Sequence, residues 1–126
     1  MADPAFDLRC AALPSLETIT EAAEGITQPL ILCGHSHIAR AVRLADGRMI
    51  VNPGSVGSPG YRDIHPFPHV MEAGTPDARY AILEFEGGVW RATFRHVPYD
   101  HEAMAALARH NGQPELASAL ATGWIR

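Results

Sequence analysis

The sequence lacks any run of Lys or Arg, any long apolar stretch and any closely spaced pair of cysteines. The formal net charge is −4 and the pI is near 5.9, which argues against nucleic-acid binding through phosphate neutralisation. No window approaches the roughly 18 apolar residues that a membrane span needs, and the chain does not open on a charged segment followed by an apolar one. The two cysteines, Cys10 and Cys33, are far apart, which is typical of reduced thiols. Together these absences predict a soluble, cytoplasmic protein.

The chain does have enough apolar content to fold. It is 126 residues long and 47% hydrophobic, which predicts a single domain over residues 1–126 with a real core. Residues 1–14 contain two prolines and no clear period, so we expect an irregular arm there. The remaining order is helix, strand, hairpin, long loop, hairpin and two helices. This order predicts a mixed fold of the α/β (α+β) class, mostly hairpin strands with flanking helices.

The first half of the chain carries clear boundary signals. Ser15 precedes a helical spacing of apolar residues and can cap that helix. The run Leu30–Cys33 is wholly apolar and lies between Pro29 and Gly34, which predicts a strand buried on both faces, with Cys33 buried. Residues 39–44 and 48–51 are predicted to form a hairpin, because Asp-Gly between two such runs is a strong turn signal.

The second half is less uniform. Residues 52–78 are rich in Gly and Pro with little periodicity, which predicts a long loop that is either functional or poorly ordered. Strands are predicted over residues 78–86 and 89–97, joined by two glycines. Asp100 is placed to cap a helix, and Pro114 suits the first turn of a last helix at 115–122. The first of these two helices is predicted to bury a stripe formed by Met104, Leu107 and Ala108.

The segment with the most chemistry directly follows the first predicted strand. It reads Gly34-His35-Ser36-His37. Two histidines at i and i+2 beyond a strand end can aim two imidazoles into one crevice, and Gly34 would allow the sharp turn there. Neutral imidazole is a common ligand for Zn, Mn and Fe. The pair alone is a weak signal, and the alternative is one hydrogen-bonded core histidine and one solvated histidine.

The context of this pair makes it more specific. After the hairpin comes Asn52-Pro53-Gly54-Ser55-Val56-Gly57. A buried strand ending in GHSH, followed by a hairpin and then NPGS, resembles the calcineurin-like metallophosphoesterase superfamily, in particular its small bacterial phosphodiesterases. The later segments Arg79-Tyr80-Ala81 and Val97-Pro98-Tyr99-Asp100 also resemble the end of those chains. The resemblance is firm over about residues 28–101.

The resemblance implies a fold and a site. The family fold is an αββα sandwich, of which this chain would supply the C-terminal half. His35 and His37 would each bind one of two divalent metals, with Mn, Fe, Zn, Ni and Mg all suited to such ligands. The substrate would be a phosphoester, either a phosphomonoester or a phosphodiester. Asn52 and Ser55, with Gly34, would shape the phosphate site or support the ligands, although plain turn chemistry also explains the NPGS segment.

The chain also departs from the family pattern. The family takes most of its metal ligands from upstream DxH, GD and GNH segments and a further histidine, and residues 1–33 contain none of these. Two imidazoles are only half of a tetrahedral shell. We therefore expect an incomplete site, completed by a separate N-terminal half or by a second copy in a homodimer. The alternative is a non-catalytic remnant that binds at most one metal weakly or serves as an interaction or dimerisation domain.

A proline-rich segment supplies two more histidines, His65 and His69. This segment can fold over the crevice to meet substrate or supply a further ligand, or it can be a surface loop with solvated histidines. A third hypothesis is a rebuilt single-metal site in which Asp63, His65 and His69 join the first pair. Tyr61 nearby is expected either to stack on substrate or to pack.

Overall fold

The first helix begins where the sequence predicts it. The computed structural model describes residues 13–126. Ser15 accepts a hydrogen bond from the Thr18 N–H at 3.3 Å, which caps helix α1 (Leu16–Ala22). Most of the predicted irregular arm, residues 1–12, lies outside the described residues, and Leu13 and Pro14 have no regular structure.

The hairpin predicted at Asp46-Gly47 is confirmed as part of a three-stranded sheet. The sheet contains β1 (Leu30–Leu32), β2 (Arg40–Arg43) and β3 (Met49–Asn52) in the order β1-β3-β2. Strand β3 is antiparallel to β2 and parallel to β1. Because β3 is central, its Val51 side chain is fully buried.

The prediction that β1 is buried on both faces is wrong. Leu32 is 63% exposed, and Cys33 just beyond the strand is also exposed. Within residues 13–126, β1 pairs with β3 only and so forms one edge of the sheet. An apolar run therefore marks the strand correctly, but the described part of the chain does not cover its second face.

The predicted long loop at residues 52–78 is also only partly correct. This segment contains a second hairpin, with β4 (Gly60–Asp63) antiparallel to β5 (His69–Glu72). The prolines hid it, because Pro66 and Pro68 lie in the turn between the strands rather than within them. The proline-rich segment is thus the tip of a hairpin.

The C-terminal elements match their predictions more closely. Strands β6 (Ala78–Glu86) and β7 (Val89–Val97) form a third hairpin. Asp100 accepts from the Ala103 N–H and caps helix α2 (His101–His110), and helix α3 (Pro114–Thr122) follows. Their shared core is formed by small residues and one leucine: Ala105, Ala108, Ala117 and Leu120.

The predicted core stripe on α2 is correct only at Ala108. Met104 and Leu107 are 45% and 49% exposed, whereas Ala105 is fully buried. Small alanines let the two helices approach closely, so the interface runs along Ala105 and Ala108.

The fold is α+β, with hairpin strands and flanking helices, as the sequence predicts. No helix among residues 13–126 combines the length and the apolar character needed to cross a membrane.

Candidate functional site

The two histidines of the GHSH segment have an unusual backbone. His35 has φ 77° and His37 has φ 59°, the left-handed region that side chains other than glycine rarely adopt. The Ser36 N–H donates to the Gly34 carbonyl at 3.1 Å, which closes a strained three-residue turn around His35. Such conformations persist only where the surroundings hold them, and they concentrate at functional sites.

Gly34 does not take the sharp turn that the sequence predicts for it. Its φ is not positive, and a Cβ built there would meet nothing within 4 Å. The sharp turn is taken by His35 instead. Gly34 contributes its carbonyl oxygen, which accepts two hydrogen bonds, one from Ser36 and one from Asn52.

Asn52, at the end of β3, holds this loop. It is buried, and its side-chain nitrogen donates to the Gly34 carbonyl at 3.2 Å and to Ser36 Oγ at 2.9 Å. Its side-chain oxygen accepts from the Gly54 N–H at 3.0 Å. The structure thus brings Asn52 to the histidines. Its amide binds the loop and the NPGS turn, a geometry that suits the support of ligands.

The NPGS turn rests on a buried arginine. A Cβ built on Gly54 would lie 2.9 Å from Arg79 Cβ, and the Arg79 N–H donates to the Ser55 carbonyl at 3.0 Å. Arg79 is only 5% exposed. Its guanidinium donates hydrogen bonds to neutral acceptors on one loop, namely the carbonyls of Ala73, Thr75 and Asp77 and the hydroxyl Oγ1 of Thr75. The NPGS turn therefore packs against Arg79, which lies outside both the GHSH and the NPGS segments.

Ser55 lies on this turn with its hydroxyl engaged locally. Ser55 Oγ accepts from the Ser58 N–H at 3.0 Å. This bond orders the chain that leaves the turn and so places the Ser58 carbonyl, which is the group that His37 contacts.

The His37 ring is fixed by that carbonyl. His37 Nδ1 lies 2.8 Å from the Ser58 oxygen, and since a carbonyl only accepts, Nδ1 carries the hydrogen. The lone pair of the neutral ring is then on Nε2. A backbone carbonyl bound to the second ring nitrogen is a usual feature of metal-ligating histidines, because it fixes the tautomer and raises the basicity of the other nitrogen.

The β4–β5 hairpin brings one of the two predicted loop histidines to this site. His69 is buried, and its Nδ1 donates to the Phe67 carbonyl at 2.8 Å. Its ring centroid is 5.9 Å from that of Tyr61, which in turn contacts His37 and His35. His65 does not join them. Its side chain is 83% exposed, and its Nδ1 lies 3.8 Å from the carboxylate of Asp63, the last residue of β4.

The candidate metal donors are the imidazoles of the GHSH segment. The neutral Nδ1–H tautomer of His37 fits a ligand role, and His35 stands two residues away on the same turn. Across residues 13–126, no group of three or more His, Cys, Asp or Glu side chains is arranged to hold a metal ion. Within that part of the chain, the two histidines of the GHSH segment are therefore without a third side chain of these types arranged beside them to hold a metal.

Two groups near the site, the Tyr61 phenol and the Cys33 thiol, are not activated as nucleophiles by their surroundings. Burial raises the pKa of the Tyr61 phenol, and the Asp63 carboxylate raises it further. Although Cys33 is partly exposed, its Sγ lies 3.7 Å from the Val51 carbonyl, and burial of the thiol raises its pKa. Neither group is set up to lose its proton near neutral pH. The pKa of Asp63 is held below its ordinary value by the backbone N–H groups of His65 and Ile64.

An apolar cavity of about 420 Å³ opens beside the GHSH segment. It lies between α1 and one face of the three-stranded sheet, and Gly34, His35 and Ser36 form part of its wall. None of the residues of α1 itself is buried, so the helix stands off from the sheet and leaves this space. The site is thus bordered by water-accessible apolar surface rather than by a packed core.

No protein-family model matches this chain, and no curated protein matches it. The resemblance to metallophosphoesterases therefore stays a prediction from the GHSH and NPGS segments of the sequence.

Sequence analysis missed two contributors. Ser36 links the loop to Asn52, and the Ser58 carbonyl fixes the His37 ring. The position of Ser36 between two candidate ligands was a usable signal. A backbone carbonyl leaves no trace in sequence, so Ser58 had none.

Proposed function

We propose that this chain supplies two imidazole ligands, His35 and His37, to the dinuclear metal centre of a calcineurin-like, metal-dependent phosphoesterase. The observation that carries the proposal is the left-handed backbone at both histidines, which Asn52 holds in place. This conformation costs stability at residues with a Cβ. His35 is exposed and its ring contact with Tyr61 is at a centroid distance of 5.9 Å, so burial gives little in return for this cost. A requirement to place two imidazoles in one crevice explains the cost.

Each residue has a distinct part in the proposal. His37 donates from Nδ1 to the Ser58 carbonyl and would ligate through Nε2. His35 would ligate from the turn that Ser36 and Gly34 close. Asn52 positions both through the loop backbone. Bound divalent ions, whether Mn, Fe, Zn, Ni or Mg, would supply Lewis-acid stabilisation of phosphoryl oxygens.

In this proposal Ser55 would face the phosphoester. Its Oγ uses a lone pair to accept from Ser58, so the hydroxyl hydrogen can be directed to a phosphoryl oxygen. A phosphomonoester or a phosphodiester fits this proposal equally.

The proposed enzyme needs a complement. Two imidazoles make an incomplete shell, and β1 exposes Leu32 at one edge of the sheet. Both features support completion by an N-terminal half or by a second copy. A cytoplasmic setting, which the two well-separated cysteines favour, belongs to the same proposal.

The test is hydrolysis of bis-p-nitrophenyl phosphate by the purified chain in excess Mn²⁺. The variants His37→Ala and His65→Ala are prepared in the same way. The second is a control, because His65 is exposed and is not one of the histidines packed around Tyr61. Turnover that disappears in His37→Ala and survives in His65→Ala supports the proposal. A rate in the parent chain no higher than that of His37→Ala contradicts catalysis by this polypeptide.

A second function is favoured by the absence of a third ligand within residues 13–126. In this alternative the chain is a non-catalytic remnant that binds one metal weakly or serves in association with another chain. It predicts Mn²⁺ binding that requires His37, without any hydrolysis. Calorimetric titration beside the hydrolysis assay separates the two functions.

A further inference from the structure

Tyr61 is the shared neighbour of the three histidine rings near the site. Its ring centroid lies 4.7 Å from that of His37, 5.9 Å from that of His35 and 5.9 Å from that of His69. The contact with His37 is edge-on, with an interplanar angle of 65°, which is a favoured arrangement for two aromatic rings. One side chain from β4 therefore contacts both candidate ligands.

The hairpin holds Tyr61 in this position. In the β4–β5 register Tyr61 is opposite Met71 and Asp63 is opposite His69, so Tyr61 and His69 are diagonal neighbours on one face. Met71 and His69 are both buried. His69 is further fixed by its bond to the Phe67 carbonyl. The Tyr61 ring thus stands on a rigid base rather than on a mobile loop.

Two restraints act on His37 and do different things. The Ser58 carbonyl selects the Nδ1–H tautomer, but one hydrogen bond still lets the ring swing a little about its Cβ–Cγ bond. The edge contact with Tyr61 limits this swing, because rotation of the imidazole plane would break the ring contact. Together they fix both the identity and the direction of the ligating nitrogen.

We propose that Tyr61 is a positioning residue for the imidazole of His37, acting through its ring and not through its hydroxyl. The inference rests on the proposed function, since it assigns His37 the ligand role. Its consequence is that the β4–β5 hairpin forms part of the metal site although it supplies none of the ligands proposed above. Preorganisation of a ligand ring raises metal affinity by lowering the entropy lost on binding.

The test compares Tyr61→Phe, which keeps the ring, with Tyr61→Leu, which keeps an apolar side chain but removes the ring. His65→Ala, on the same hairpin and exposed, is the control. Mn²⁺ is titrated into each protein while paramagnetic broadening of the His35 and His37 imidazole signals is followed by NMR. The ¹⁵N shifts of His37 report its tautomer in the same samples.

We expect Tyr61→Phe and His65→Ala to bind Mn²⁺ within about twofold of the parent chain. We expect Tyr61→Leu to bind about two- to tenfold more weakly, the range expected from the loss of one aromatic pair. The His37 tautomer should remain Nδ1–H in Tyr61→Leu, because Ser58 still accepts. A purely structural role for Tyr61 would change the unfolding midpoint and leave Mn²⁺ affinity unmoved.

The possible results distinguish the positioning role of Tyr61 from the proposed function on which that role rests. Unchanged affinity in Tyr61→Leu overturns the positioning role alone, and equal weakening in Tyr61→Phe overturns the assignment to the ring. Absence of His37-dependent Mn²⁺ binding in the parent chain overturns the proposed function and the inference with it. If Tyr61→Leu does not fold, nuclear Overhauser contacts between the Tyr61 and His37 rings in the parent chain decide, and their absence refutes the restraint.

Discussion

The side-chain nitrogen of Asn52 lies 2.9 Å from Ser36 Oγ, so the last residue of β3 is bonded to the residue between the two candidate ligands. The same nitrogen reaches the Gly34 carbonyl at 3.2 Å. Asn52 is only 7% exposed, which places these bonds where water competes poorly. The left-handed turn of the GHSH segment therefore depends on one buried amide.

Replacing Asn52 with Ala should destabilise the protein by about 1–3 kcal/mol, because buried partners are left without their hydrogen bonds. Ser36→Ala should cost less, since the bond from Asn52 to Gly34 survives. Urea denaturation of both variants measures the free energy of unfolding. A loss in Asn52→Ala no larger than that in Ser36→Ala would show that the amide does not hold the loop.

The backbone at His35 gives a second prediction. With φ 77°, His35 occupies a region open to glycine, so His35→Gly should be about 1 kcal/mol more stable than His35→Ala. His96 is the matched control, because it is an exposed histidine in β7. There Gly should be less stable than Ala. If Ala at position 35 is at least as stable as Gly, the left-handed conformation at His35 is refuted.

Some of these structural features could be predicted from the sequence and others could not, for physical reasons. Local signals were reliable: the Ser15 and Asp100 caps and the Asp46-Gly47 turn are fixed by neighbouring residues and were found. The β4–β5 hairpin was missed, because turn-forming prolines close to short strands mask the alternation of apolar residues.

The residues of the candidate site were named from the sequence, but their geometry was not predicted. The histidines and Asn52 were named from their motifs, and the structure bonds Asn52 to the GHSH segment. The sharp turn was assigned to Gly34, whereas His35 and His37 adopt the left-handed angles, since the sequence pattern predicts a turn but not which residue bears its strain. The contact of Tyr61 with His37 depends on the hairpin register and has no local signal.

The packing of Gly54 on Arg79 gives a third prediction. Gly54 has φ 88°, and an added Cβ would lie 2.9 Å from Arg79 Cβ and 3.1 Å from its Cδ. Arg79 is buried with its guanidinium bound by several carbonyl groups, so it cannot move aside cheaply. Gly54→Ala should therefore destabilise the protein by about 2–4 kcal/mol.

Gly57 is the control for that change. It has no positive φ, and a Cβ there meets nothing within 4 Å, so Gly57→Ala should alter the free energy of unfolding by no more than about 0.5 kcal/mol. Thermal or urea unfolding compares the two variants. Similar losses at both positions would mean that the NPGS turn does not rest on Arg79.

The fourth prediction concerns the pH dependence of the β2–β3 turn. Asp46 accepts from the Arg48 N–H at 3.0 Å and from its guanidinium at 2.7 Å, and these two bonds, the backbone one first, lower the pKa of Asp46. The same guanidinium donates to the Ala23 carbonyl at 2.9 Å and to the Ile26 carbonyl, which ties the end of α1 to the turn. Because the folded pKa is depressed, the stabilisation is complete above the ordinary aspartate pKa and is lost as the pH falls through the folded pKa.

Carboxyl ¹³C NMR can follow the titration of Asp46 in the parent chain, in Arg48→Met and in Arg109→Met. The Arg48 variant removes the side-chain bond and leaves the backbone bond, so the pKa of Asp46 should rise toward its ordinary value without reaching it. Arg109 lies on α2 and pairs with Glu102 at 3.9 Å, so its replacement should leave Asp46 unmoved. An Asp46 pKa that is the same in all three proteins would show that the Arg48 guanidinium does not bind this carboxylate in solution. In that case the attachment of α1 to the turn would rest on the two carbonyl contacts of Arg48 alone.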